Sequence, residues 1–288
     1  LKRILSLIFV ALQAAVVALF GYLVVQYFGL RERRGGPIMV IGHRGASKYA
    51  PENTISAFKL AIEQGADAFE LDVQQSADGE LVVIHDNELD RTTDGIGWLG
   101  FYNFADLKQL DAGSWFDPLH KREKLPTLKQ AITTARERGV GTYIELKDPA
   151  LYPGMVQRVA DLLAAEGWTR PGQGIAISFD HAAISALRAL NPELTLGALF
   201  GPWRGPHWAT AASLQAIGNP QLVLPHWASV LRDPYMVRRL HRLGKLVVVW
   251  TADAPWAARM LQYVGVDGII TNNPDLVIAA TAPLAELV

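Results

Sequence analysis

From residue 38 onward, short apolar runs alternate with longer stretches of helical period, and this alternation restricts the fold more than any other property of the chain. The spacing predicts strands over Ile38–Ile41, Ala68–Gln74, Leu81–His85, Thr142–Lys147 and Ile175–Phe179. Four more follow, over Leu194–Phe200, Gln221–Pro225, Leu246–Trp250 and Gly268–Thr271. Helical patterns fall between most of them, over Thr54–Gln64, Thr127–Arg138, Pro153–Glu166, His181–Leu190, Pro234–Leu243 and Pro255–Val264. In the first of these Ile55, Phe58 and Ile62 share a face, with Asn53 placed to cap. Strands alternating with helices imply a parallel sheet covered by helices.

Nine strands are one too many for an eightfold barrel, and the surplus has a local cause. Between Gln74 and Leu81 there is no room for a crossover helix, and "SADG" reads as a tight turn. That pair is expected to be an antiparallel hairpin within otherwise parallel winding. A doubly wound sheet is the competing architecture, but no Gly-rich phosphate loop follows the first strand. The expected fold is therefore α/β, a TIM-type (β/α)8 barrel with a hairpin at its second and third strands. Asn87–Pro126 shows little pattern beyond Phe104–Leu110 and carries Trp98, Phe101, Tyr102, Trp115 and Phe116. A stretch this long without regular elements reads as an insertion over the barrel mouth.

Charge narrows the partners. The first 36 residues hold five basic residues and one acidic, leaving 22 basic against 27 acidic over Pro37–Val288. A mildly acidic domain lacks the basic footprint of a nucleic-acid binder. With no cysteine, disulfides and thiolate metal sites are excluded. The segment Ile4–Leu30 runs 27 residues without a charge. As a helix it would extend roughly 40 Å, more than the ~30 Å hydrocarbon core requires. It reads as an uncleaved single-pass membrane anchor within residues 1–36, followed by a linker and the domain 37–288. Lys2 and Arg3 nearly balance Arg31, Arg33 and Arg34, so the flanking charges leave the membrane side open.

Two segments carry chemistry. Side chains alternate along a strand, so Glu70 and Asp72 in "ELDV" point the same way, as do Glu145 and Lys147 in "IELK". Three carboxylates converging from two strand ends would suit a hard cation, Mg²⁺ or Ca²⁺; the plain alternative is isolated charges balanced by Arg44 and Lys147. His43 and Arg44 close the first strand, before a glycine that permits close backbone approach to a ligand. His85 closes the hairpin's return strand. Two strand-end histidines beside carboxylates form a plausible acid–base pair. The remaining histidines, His120, His181, His207, His226 and His241, have no motif partner and read as structural or surface residues. Trp227 and the tryptophans of Phe200–Trp208 follow strand ends, where they could grip an acyl chain or simply pack the loops.

The ordered set "HRG…PENT…ELDV…DG…VVIHD…RTT…IELK", from His43 to Lys147, resembles the glycerophosphodiester phosphodiesterase family. The likeness resumes more faintly at "VVVWTAD" and "DGIITNNPD". It implies a TIM-type barrel with its site at the carboxyl ends of the strands. It further implies Glu70, Asp72 and Glu145 as ligands of a divalent cation, His43 and His85 as general acid and base, and Arg44 and Lys147 on the phosphate. Trp250 would line the alcohol side. The implied reaction is hydrolysis of a glycerophosphodiester to sn-glycerol 3-phosphate and an alcohol. A lysophospholipase D acting on membrane lysophospholipids would use the same site. A non-catalytic phosphate-binding barrel would not need both histidines.

Three positions depart from the family pattern. The chain reads "TNNP" where "TD" is frequent, Asp253 where asparagine is common, and Ser76 where the hairpin usually has threonine. None is expected to touch a proposed ligand or acid–base residue, so they are expected to bear on substrate preference.

Overall fold

The computed structural model describes residues 38–202 and 210–282. The apolar segment Ile4–Leu30 and most of Phe200–Trp208 lie outside the described residues. No helix among the described residues is long and apolar enough to cross a membrane.

Eight parallel strands close into a barrel. They are β1 (Met39–Gly42), β2 (Ala68–Gln75), β4 (Gly141–Leu146), β5 (Gly174–Ser178), β6 (Thr195–Phe200), β7 (Leu222–Pro225), β8 (Leu246–Val249) and β9 (Gly268–Thr271). Strand β1 pairs with β9 on one side and β2 on the other, which completes the ring. The surplus strand is β3 (Leu81–Val83), antiparallel to β2 with Val73 opposite Val83 and Gln75 opposite Leu81. Ser76 makes the turn: its N–H donates to Glu80 O at 3.0 Å, and its hydroxyl donates to Asp78 Oδ1 at 2.6 Å. Gly79 supplies the left-handed residue at φ 87°.

Strand alternation sorts the side chains into two layers. Phe69, Leu71 and Val73 on β2 and Ile144 and Leu146 on β4 point outward, against helices that include Phe58, Ile132 and Val159. Ala68 and Tyr143 point inward, with Ile41, Ile177, Leu199, Leu224 and Val248. The inward parity of β2 therefore continues to Glu70 and Asp72, and that of β4 to Glu145. Registry places Asp72 directly beside Glu145. The barrel interior is apolar up to the point where its carboxyl end turns acidic.

Helix α1 (Ile55–Glu63) begins one residue later than Asn53 would require. Thr54 is the cap, accepting from Ala57 N at 3.2 Å, and Asn53 is free for another task. The glycine after Arg44 also serves packing. A Cβ on Gly45 would come 2.5 Å from the Ala57 carbonyl carbon, so its absence lets the turn approach α1 closely. Residues 87–126 form short turns plus α2 (Phe104–Leu107). Leu89, Leu99, Leu107, Ala112 and Leu125 give them a small core of their own against Val82 and Ile84 of the hairpin.

Candidate active site

The carboxylates of Glu70, Asp72 and Glu145 converge at the carboxyl end of the barrel. Each offers an oxygen within 4.8 Å of the others, and all three residues are buried. Among the described residues, Glu70 Oε1 and Asp72 Oδ1 are buried without a hydrogen-bond partner, a costly arrangement unless something else satisfies them. Burial and the neighbouring charges of Asp72 and Glu145 push the Glu70 carboxyl well above its ordinary value. Burial, together with Asp72, lifts Glu145 to about 7 against the pull of Lys147. Burial also opposes ionisation of Asp72, but Arg44 and Lys147 outweigh it and hold that carboxyl below its ordinary value. Crowded, partly unsatisfied oxygen donors with no sulfur fit a hard divalent cation.

That electrostatics sets a pH dependence. The raised Glu70 and Glu145 carboxyls keep protons that a cation must displace, so affinity falls as pH drops below the value of about 7 at Glu145. Calorimetric titration with Mg²⁺ or Ca²⁺ between about pH 6 and 8 should show tighter binding at the alkaline end, with proton release at the acidic end. A pH-independent dissociation constant would count against these ligands.

Arg44 is held in a left-handed conformation, φ 53°, which costs about 1–3 kcal/mol for a non-glycine residue. The conformation turns its backbone N–H to Glu70 Oε2 at 2.9 Å. Its guanidinium meanwhile lies 3.1 Å from Asp72 Oδ2 and donates to Glu52 Oε1 at 2.8 Å. Asn53, also at positive φ, donates to Asp72 Oδ2 at 2.9 Å and accepts the Asp72 N–H. Lys147 donates to Glu145 Oε1 at 2.8 Å and stands 3.2 Å from His85 Nε2.

The two histidines are braced from behind. His85 Nδ1 meets Asp86 Oδ1 at 2.5 Å. Asp86 is gripped by Arg91, whose hydrogen bonds hold the carboxyl well below its ordinary value despite partial burial. Arg91 also binds both oxygens of Glu52, at 2.9 and 2.8 Å. A continuous run of charge thus links Arg44 to His85 through Glu52, Arg91 and Asp86. Glu52 and Arg91 belong to "PENT" and "RTT", segments that marked the resemblance without receiving a role. His43 Nδ1 lies 2.7 Å from Asn272 Oδ1, and its Nε2 is 4.0 Å from Glu70 Oε2. Burial and Arg44 lower the His43 imidazole to about 4.

Of the eight residues singled out in the sequence, seven come together here. Trp250 lies outside this hydrogen-bonded cluster, just past β8, with its indole N–H donating to Leu224 O at 2.8 Å. It stands at the head of an aromatic run. Phe179 and His226 meet it edge-on, His226 packs on Trp227, and Trp227 meets the largely exposed Trp256. His226 therefore combines capping with packing, whereas His181 bonds Leu199 O and His241 pairs with Asp267. One expectation is overturned. Asn272 touches His43, and Asp253 in turn accepts from Asn272, so two departures from the family pattern reach a proposed acid–base residue. Barrel closure brings β9 beside β1 and makes this contact.

Two imidazoles and two cationic side chains around buried carboxylates, at the carboxyl end of a parallel barrel, are groups suited to a hydrolase of phosphate esters built on a TIM-type fold. The sequence pattern of the "Glycerophosphoryl diester phosphodiesterase family" matches residues 43–276. A glycerophosphodiester phosphodiesterase of Caldanaerobacter subterraneus is 35% identical over 241 residues, covering 83% of this chain and 96% of its own. A phosphodiesterase of Oleispira antarctica, solved in complex with the product sn-glycerol-3-phosphate, superposes with a TM-score of 0.76 at 31% identity, over 85% of this chain and 96% of that one. A glycerophosphodiester phosphodiesterase of Agrobacterium tumefaciens gives 0.71 at 34% identity, over 84% and 99%. The chain belongs to the glycerophosphoryl diester phosphodiesterase family, and with it to the phosphoric diester hydrolases.

Proposed function

We propose that this protein hydrolyses glycerophosphodiesters to sn-glycerol 3-phosphate and an alcohol by proton transfer through His43 and His85. The observation that carries this reading is the convergence of three buried carboxylates, two of them with unsatisfied oxygens, between two braced imidazoles and two cations. The product found in the Oleispira relative supports the same substrate class.

Glu70, Asp72 and Glu145 would hold the divalent cation, Mg²⁺ or Ca²⁺, which supplies Lewis-acid stabilisation of the phosphate charge when bound. Arg44 and Lys147 add fixed positive charge where negative charge grows on the phosphoryl oxygens. One histidine takes the proton of the attacking hydroxyl, and the other gives a proton to the departing alkoxide. The attacking oxygen comes from water or from the substrate's own 2-hydroxyl. Asp86 behind His85 holds the ring by its Nδ1 edge, because a carboxylate accepts that N–H as a charge-assisted bond.

The aromatic run from Phe179 through Trp250 to Trp256 favours a second substrate class on the same machinery, lysophospholipids cleaved as by a lysophospholipase D. The apolar segment Ile4–Leu30 would make the protein single-pass in a membrane and bring a bilayer within reach. One experiment addresses these readings. Full-length protein, fractionated into membrane and soluble pools, is assayed on glycerophosphocholine and on lysophosphatidylcholine vesicles, with EDTA and with restored Mg²⁺ or Ca²⁺. Metal-dependent release of glycerol 3-phosphate from glycerophosphocholine, in the membrane pool, is expected. Phosphate-ester binding without turnover would identify a receptor instead, and turnover of the vesicles alone would favour the lysophospholipase D. Activity confined to the soluble pool would remove the anchor.

A further inference from the structure

Behind His43, two residues that depart from the family pattern make one contact. Asn272 Nδ2 donates to Asp253 Oδ2 at 2.6 Å, and the Asn272 backbone N–H donates to Asp253 Oδ1 at 2.8 Å. Thr271 Oγ1 lies 3.0 Å from that same Oδ1. On the other side of the amide, Asn272 Oδ1 accepts from Ser47 Oγ at 2.8 Å and faces His43 Nδ1 at 2.7 Å.

These contacts decide the placement of protons on the Asn272 amide and the His43 imidazole. An ionised carboxylate only accepts. With Asp253 Oδ2 at 2.6 Å, the Asn272 group facing it must be the NH₂; the flipped amide would set two acceptors against each other. The carbonyl oxygen must then face His43, and the nitrogen it meets must carry a hydrogen. The neutral imidazole therefore holds its proton on Nδ1 and its lone pair on Nε2, the nitrogen on the Glu70 side. The His43 backbone is tied to the same segment, its N–H donating to Thr271 O at 2.7 Å.

We propose that Asp253 and Asn272 are a positioning pair that fixes the tautomer and orientation of His43 and so presents Nε2 to the substrate. The inference rests on His43 acting in proton transfer, and it adds two residues that do not touch the reacting atoms. His85 has a carboxylate directly behind its ring, whereas His43 has a neutral amide with the carboxylate one residue further out. Exchanging the two residues reverses the donor between them but keeps an acceptor facing His43: an asparagine at 253 can donate to an aspartate at 272, whose other oxygen still accepts from His43 and Ser47.

The test compares Asp253→Asn, Asn272→Asp and the double exchange in the full-length enzyme. Asp253→Asn lets the amide of Asn272 adopt either orientation, so kcat for glycerophosphocholine should fall about 10- to 100-fold while KM and melting temperature change little. Asn272→Asp sets two carboxylates face to face and should fall at least as far. The double exchange should recover kcat to within about threefold of the parent, the signature of a coupled pair. Long-range ¹H–¹⁵N spectra of the substrate-free protein, with His43 assigned by its loss in His43→Gln, should show a single Nδ1–H tautomer that becomes mixed in Asp253→Asn. This spectroscopic arm does not depend on which diester is the substrate. Parent-like kcat and an unmixed tautomer in Asp253→Asn, or a double exchange no better than the worse single variant, would overturn the proposal.

Discussion

Replacing either His43 or His85 by alanine should lower kcat about 10²–10⁴-fold, the usual contribution of a positioned proton-transfer group. The two losses have different structural backgrounds. His43 is one-fifth exposed, with Asn272, Thr271 and Glu70 around it, so its removal also leaves the Asn272 carbonyl and the Ser47 hydroxyl to rearrange. His85 is more open and is held by Asp86 and Lys147. Melting temperature should therefore fall more in His43→Ala than in His85→Ala, although both lose turnover. Steady-state kinetics with glycerophosphocholine, beside thermal melts, separates the effects. Near-normal turnover in either variant would remove that histidine from the mechanism.

Chelation should abolish turnover, and Glu70→Gln should raise the concentration of Mg²⁺ or Ca²⁺ needed to restore it by at least about 100-fold, more than losing a hydrogen-bond partner behind a ligand costs. Glutamine keeps the shape and can still accept the Arg44 backbone N–H, so the left-handed turn at Arg44 survives. What it loses is the negative charge of a carboxylate whose second oxygen has no hydrogen-bond partner among the described residues. Removing a carboxylate also relieves repulsion, because Glu70, Asp72 and Glu145 crowd within 4.8 Å. The metal-free variant should therefore melt no lower than the metal-free parent, and a metal-induced rise in melting temperature should shrink. An unchanged metal requirement would sink the ligand assignment.

The hairpin from Glu70 to Asp86 shows how far local patterning reaches. Period-2 alternation set Glu70 and Asp72 on one side, and the short "SADG" link required an antiparallel return that places His85 near them. Both depend only on backbone geometry within a few residues. Asn53 shows where local reasoning fails. Asparagine and threonine are both good caps, and the pattern of α1 could not choose between Asn53 and Thr54. The choice depends on Asp72, which offers Asn53 a buried carboxylate 19 residues away. Glu52 and Arg91 were visible only as letters within motifs, because an ion pair spanning 39 residues leaves no periodic trace.

The family likeness carried seven of the eight residues to one cluster, yet its departures were misjudged for a related reason. Asn272 and His43 are 229 residues apart, and only closure of the ring, β9 against β1, makes them neighbours. The alternation of strands and helices, the surplus hairpin and the inward parity of Glu70, Asp72 and Glu145 were determined by sequence alone, since pleat, turn and helix period are properties of short segments. Which side chains stand behind each histidine was decided by tertiary structure. Barrel closure sets contacts between the two ends of the chain, and no local period encodes what lies on the far side of that seam.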